Sequence, residues 1–207
     1  MFATVTTERY ERSQRCGRER PAARRVTDVL EPRNWVIALV TVLGWNADGL
    51  AGVGWGLLIA LFTAIFPAMF VRYGIWRWQW SGRHVSRRSE RLTALTFVIA
   101  ADCAGAVVMI VAHAPAVMTG YLTGMLATSV VITAITTAWK ISVHCAVASA
   151  AVAMVALAYG PLLVGGYALV GGVAWSRVAL REHTTAQVIA GAILGAMAGC
   201  ATYAAAR

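Results

Sequence analysis

The sequence predicts an all-α fold: a polytopic transmembrane helix bundle with six to seven membrane helices. Three observations predict it. Hydrophobic residues make up 59% of the 207 and charged residues only 13%, where a soluble domain carries about 25% charge. Apolar runs near the roughly 20 residues that cross a bilayer as a helix recur along the chain. The basic residues concentrate in a tail and in short stretches between those runs. Lipid offers no partner to an open backbone group, so each span is expected to be helical.

Residues 1–33 hold eight arginines against five acids. Their low apolar content predicts a mobile or surface-bound tail, distinct from a transmembrane helical domain over 34–207. They contain no apolar core behind a short basic start, so no cleavable signal peptide is expected. Apolar segments follow at about 34–46, 53–71, 92–112, 116–139, 143–159, 161–176 and 184–204. The first is short for a full crossing and is expected to be tilted or partly embedded. Gly52, Pro115 and the Gly160-Pro161 pair punctuate the segment ends. Small residues fill the last four segments, as in MLATSVV and AVASAAVAM, which allows helices to pack closely in lipid.

Residues 72–91 carry six arginines, one glutamate and the cluster Trp76, Trp78 and Trp80, the composition of an interfacial belt. The turns near 47–52, 113–115 and 160 carry no Arg or Lys. With seven crossings, the tail, the 72–91 stretch, Lys140 and the 177–183 stretch share one face, which the positive-inside rule makes cytoplasmic. A multi-pass cell-membrane protein is therefore expected. In a soluble protein the net charge of +9 would suggest nucleic acid; here it reads as membrane orientation, and no nucleic-acid partner is expected. Cys16, Cys103, Cys145 and Cys200 are far apart in sequence, without zinc-ligand spacing, and read as small packing residues. His84 reads as a solvated residue of an Arg loop and His113 as a turn residue on the other face. No paired-aspartate motif for a magnesium diphosphate and no Gly-rich phosphate loop is present, and no metal or cofactor is expected.

The polar groups that are expensive to bury cluster in two stretches, WKISVH and WSRVALREH. The first gives Lys140 (the only lysine), Ser142 and His144. The second gives Ser176, Arg177, Arg181, Glu182 and His183, with Gln187 four residues beyond His183 and on the same helical face. Asp102 sits alone within the third segment, as a helix-packing contact or a histidine partner. Lys and Arg bind phosphate oxygens, and a helix start adds N–H donors and a favourable dipole. Two histidines in one pocket allow one to act as nucleophile and the other as general acid. Such a site hydrolyses a phosphate ester without metal.

The run Ser176-Arg177, five residues, His183, three residues, Gln187 resembles the third signature of the type 2 phosphatidic acid phosphatase superfamily, which ends in Asp. Ile141-Ser142-Val143-His144 resembles its second signature, Pro-Ser-Gly-His, keeping Ser and His. Of the first signature only a lysine, Lys140, has a counterpart, next to the second signature; the Arg-Pro pair is missing. The resemblance is best over 140–191 and implies a phosphatidic acid phosphatase-like core over about 116–205. It implies His183 as the nucleophile and His144 as the acid for the leaving oxygen. It implies Lys140, Ser142, Ser176, Arg177 and the Val143 N–H as phosphate donors, with Arg181 as a further candidate. Gln187 can orient His183 but supplies no charge, which predicts a slower enzyme or one whose charge comes from Glu182 or Asp102. In the serine-protease triad, loss of the equivalent carboxylate costs about 10⁴ in rate.

The function expected is a membrane lipid-phosphate phosphatase acting on a lipid or isoprenoid (di)phosphate through a phosphohistidine intermediate, its site open to the cytoplasmic leaflet. The alternatives are a lipid-phosphate-binding protein of little catalytic power and an isoprenoid-diphosphate enzyme that ionises its substrate.

Overall fold

The computed structural model describes residues 20–80 and 87–207, and every regular element in them is helical. Residues 1–19, with Cys16, and residues 81–86, with His84, lie outside the described residues. The helices are α1 (Pro21–Val29), α2 (Pro32–Ala60), α3 (Phe66–Trp78), α4 (Arg88–Val111), α5 (Ala116–Ala138), α6 (Val143–Tyr159), α7 (Tyr167–Ala179) and α8 (Thr185–Ala205). A π-turn, Leu61–Ile65, joins α2 to α3, and a 3₁₀ turn, Pro161–Gly166, precedes α7. Among the described residues, five helical stretches are long and apolar enough to cross a membrane: Pro21–Trp78, Ser89–Val111, Ala116–Ala138, Pro161–Ala179 and Thr185–Ala205. Val143–Tyr159 is apolar but shorter. The chain is a helical membrane bundle.

The first of those stretches doubles back on itself. Asp48 (φ −158°, ψ 38°) and Gly49 (φ 51°, ψ −131°) leave helical geometry, and Gly49 takes the left-handed region that glycine enters without a Cβ penalty. The two arms of α2 then run antiparallel, with Gly44 against the Gly52 backbone and Gly56 against the carbonyl of Val40. No side chain fits at those contacts. The sequence break at 47–52 is this hairpin.

Residues 21–29, expected to belong to a mobile or surface-bound tail, form α1. Pro21 opens the helix, where its missing N–H costs nothing. Ala23 and Thr27 are buried, Ala23 in a small apolar cluster with Ala179 and Leu180. The Thr27 hydroxyl donates to Ser176 Oγ at 2.9 Å. Burial of one face on α7 supplies what the polar composition of the whole tail conceals.

α6 and α8 share the most regular contact among the described helices. Gly191, Gly195 and Gly199 on α8 meet the carbonyls of Ser142, Ala146 and Ala150 in the same order. Both sets advance by one helical turn, so the two helices run parallel and begin at the same end of the bundle. α5 packs against α8 in the opposite sense, Gly124 against Thr202 and Gly120 against Ala206. At the far end Arg207 donates to Asn46 Oδ1 at 2.9 Å and Tyr159 to the Val42 carbonyl at 2.8 Å. Trp45, Trp76, Trp78, Trp139 and Trp175 are exposed, amphipathic rings of the kind that sit at a bilayer interface.

Candidate functional site

Two loops build the site. α7 ends where Arg181 adopts φ 55°, a left-handed C-terminal turn. The N–H of Glu182 donates to the Arg177 carbonyl at 3.1 Å and that of Arg181 to the Val178 carbonyl at 2.9 Å. This pair of bonds satisfies the last carbonyls of a helix and reverses the chain. His183 N–H also reaches the Arg177 carbonyl, at 3.3 Å. Thr184 then caps α8 in a reciprocal box: its hydroxyl accepts from Gln187 N–H at 3.4 Å, and Gln187 Oε1 accepts from Thr184 N–H at 3.1 Å. The spacing between Arg177 and His183 is thus one complete helix stop and helix start, which folds the histidine back beside the arginine.

The same amide oxygen fixes the histidine. Gln187 Oε1 lies 3.2 Å from His183 Nδ1. Because the Thr184 N–H can only donate, the amide atom facing it is the oxygen, and Nδ1 must therefore carry the proton. Nε2 is left with its lone pair. Burial first, then the positive charges of Lys140, Arg177 and Arg91, lower the His183 pKa to about 2, so the free ring is a neutral base.

The second loop joins α5 to α6. Ser142 caps α6, its hydroxyl accepting from Cys145 N–H at 3.4 Å, and its own N–H donates to the Gln187 carbonyl at 3.3 Å. His144 follows in the first turn. Lys140 Nζ donates to the Glu182 carbonyl at 2.8 Å, which ties the two loops together.

His144, His183, Arg177 and Val143 line one cavity of about 370 Å³, within the range of small-molecule sites. Arg91, from the first turn of α4, lines it as well, with Arg33 and Arg72. Arg177 is 1% exposed. Its Nη2 lies 3.5 Å from Glu182 Oε2, while Nε and Nη1 have no hydrogen-bond partner among the described residues. Arg91 Nη2 donates to the Ile141 carbonyl, and its Nε has no such partner. Among the described residues, Lys140, Arg177 and Arg91 act as cations on His183; Glu182 offsets Arg177, and Glu31 and Asp102 lie elsewhere on the cavity wall. An anion with several oxygens would satisfy both the excess charge and the open donors. The rest of the wall is largely apolar, including Leu95, Val98, Ile132, Met125 and Met154.

Most other expected site residues stand apart from the cavity wall. Lys140 and Ser142 hold loop geometry at its margin. Ser176 is fully buried and bonds the Val173 carbonyl at 2.7 Å and Thr27. Arg181 is exposed at the turn. Asp102 lines the cavity but accepts from Ser129 at 3.2 Å; its hydrogen bond goes to neither histidine. In the sequence Arg91 reads only as one of the orientation charges of the 72–91 stretch. Its one distinguishing signal is position, as the last basic residue before the apolar segment at 92–112. Among the described residues no three of His, Cys, Asp and Glu come together as metal ligands would. No protein-family model, curated protein or solved structure matches the chain.

Proposed function

We propose that this membrane bundle is a lipid-phosphate phosphatase that works through a phosphohistidine on His183 without a metal ion. The observation that carries the reading is the junction of two histidines and two buried, incompletely paired guanidiniums with one end of an otherwise mostly apolar cavity. In this reading the phosphate sits against Arg177 and Arg91, and the lipid tail lies along Leu95, Val98 and Ile132. His183 Nε2 attacks phosphorus, and the bond from phosphorus to the alkoxide oxygen breaks as His144 gives that oxygen a proton. Water then attacks the phosphohistidine, with His144 taking the water's proton, and inorganic phosphate leaves. Gln187 keeps the Nδ1 proton in place throughout. The resemblance at Ser176-Arg177, His183 and Ser142-x-His144 to the type 2 phosphatidic acid phosphatases supports the same roles.

The reading extends to topology. Counting the two arms of the α2 hairpin separately, with the second arm continuing through α3, and adding α4 to α8 gives seven crossings. The N-terminal tail, Arg72, Lys140 and Arg177 then share one side, which the positive-inside rule makes cytoplasmic. Candidate substrates are lipid or isoprenoid phosphates and diphosphates present in that leaflet. A second reading, a lipid-phosphate-binding protein of low turnover, is favoured by one feature: Gln187 orients His183 without supplying charge. Release of phosphate from a panel of lipid phosphates by purified protein, with and without EDTA, separates the readings. Turnover that survives EDTA and is blocked by vanadate is expected. Tight binding without turnover would favour the second, and strict magnesium dependence would point to ionisation or metal-assisted chemistry.

A further inference from the structure

Asp102 is 1% exposed and lines the same cavity as the histidines. It sits about three turns along α4 from Arg91, roughly 16 Å at 1.5 Å per residue. The α4 wall between them carries Leu95 and Val98. Ser129 Oγ donates to Asp102 Oδ2 at 3.2 Å, and Oδ1 has no hydrogen-bond partner among the described residues. Thr128, beside Ser129, spends its hydroxyl on the Gly124 carbonyl at 2.8 Å. A carboxyl at membrane depth is costly, and marks a site by default. Leaving one of its oxygens open adds to that cost.

The open oxygen is an unmet acceptor in a largely apolar chamber. A buried ammonium would bring three donors and a charge that must all be met there, whereas a hydroxyl brings one donor. We propose that Asp102 and Ser129 form a second recognition point, which selects lipid phosphates whose chain carries a hydroxyl about 16 Å from the phosphorus. The inference rests on the lipid-phosphate reading and adds to it the substrate's tail chemistry. The cationic end fixes the head, Asp102 Oδ1 accepts from the tail hydroxyl, and chain length is measured between them.

Binding of two non-hydrolysable ligands tests this: dodecylphosphonic acid and its ω-hydroxy analogue, titrated into the purified full-length protein. The wild type is expected to bind the hydroxy ligand about 10-fold or more tighter, because the plain chain leaves the carboxyl unpaired. Asp102→Ala should abolish or reverse that preference, and Asp102→Asn, which keeps an acceptor oxygen, should retain it. Ser129→Ala should weaken the hydroxy ligand alone. Equal affinity for the two phosphonates in wild type and Asp102→Ala alike overturns the tail subsite and leaves water as the partner of Oδ1. Failure of both phosphonates to bind overturns the lipid-phosphate reading itself, and the subsite with it.

Discussion

At the scale of single residues, three side chains near His183 divide the tasks of the proposed site. Gln187 holds the tautomer, Arg177 presents donors, and Glu182 offsets part of the buried charge of Arg177. Removing one member of a buried ion pair costs about 3–5 kcal/mol, while replacing both by apolar groups is often neutral or stabilising. Arg177→Met and Glu182→Leu are therefore each expected to lower the melting temperature, and the double variant to recover much of it. Activity should stay lost in the double variant, because the Arg177 donors are gone and Arg91 alone does not hold the phosphate; recovery of turnover along with stability would remove Arg177 from the site. The ring itself makes a pH prediction. The His183 pKa lies near 2 in the folded protein against 6.5 for the free side chain, so the folded chain binds fewer protons than the unfolded one at acid pH. The stability His183 contributes is complete above about pH 6.5 and declines as pH falls from there toward 2. Histidine NMR of the ligand-free protein should find the His183 ring neutral at pH 5; titration near 6.5 would contradict its burial among cations.

At the scale of elements, the parallel contact of α6 and α8 brings the two histidines to one end. Each follows an N-cap or precedes one, so two helix N-termini, with their free N–H groups and positive dipole ends, converge there. The Gly191, Gly195 and Gly199 repeat sets both the spacing and the register. A Cβ at Gly195 would collide with the Ala146 carbonyl, whereas one at Gly171 on α7 meets nothing within 4 Å. Gly195→Ala is expected to cost about 1–3 kcal/mol and to cut turnover by shifting His144 relative to His183. Gly171→Ala should be neutral or stabilise by up to about 1 kcal/mol. Thermal unfolding and rate measured on the pair check this, and equal behaviour would show that the α6–α8 register does not matter. These elements were unequally legible in sequence. The Ser-Arg to His spacing stood out in sequence through its resemblance to a family signature; of the two caps in the α7–α8 turn only the Thr184–Gln187 box has a residue signature, since Arg181 fills the left-handed position where glycine is usual. The α2 hairpin showed as a gap in apolar content. The buried face of α1 did not show, because the segment is short and its amphipathic pattern is concealed by the polar average of the whole tail. Arg91 was hidden for a related reason: a charge at a helix start reads the same whether it faces water or a cavity.

For the whole molecule, the claim is that one end of the bundle gathers the cations and that this end faces the cytoplasm. In a protein freed of its own cysteines, one introduced at position 81 should resist an impermeant thiol reagent in whole cells and one at Ala114 should react. The reverse pattern would turn the site outward and change which leaflet supplies the substrate. The composition made the membrane bundle legible at once, since charge content and run length follow from the bilayer's thickness and dielectric. The wall proposed for the lipid tail was not legible, because its Leu, Val, Ile and Met positions look like any lipid-facing helix. The most direct measurement is on the covalent step itself. Purified protein in EDTA, mixed for a single turnover with an alkyl phosphate and quenched in base, should carry a phosphoryl group on His183 by peptide mass spectrometry. His183→Ala should carry none and should lose roughly 10⁴-fold or more in rate while remaining folded. Phosphate release with no phosphoenzyme, undiminished in His183→Ala, would contradict the account.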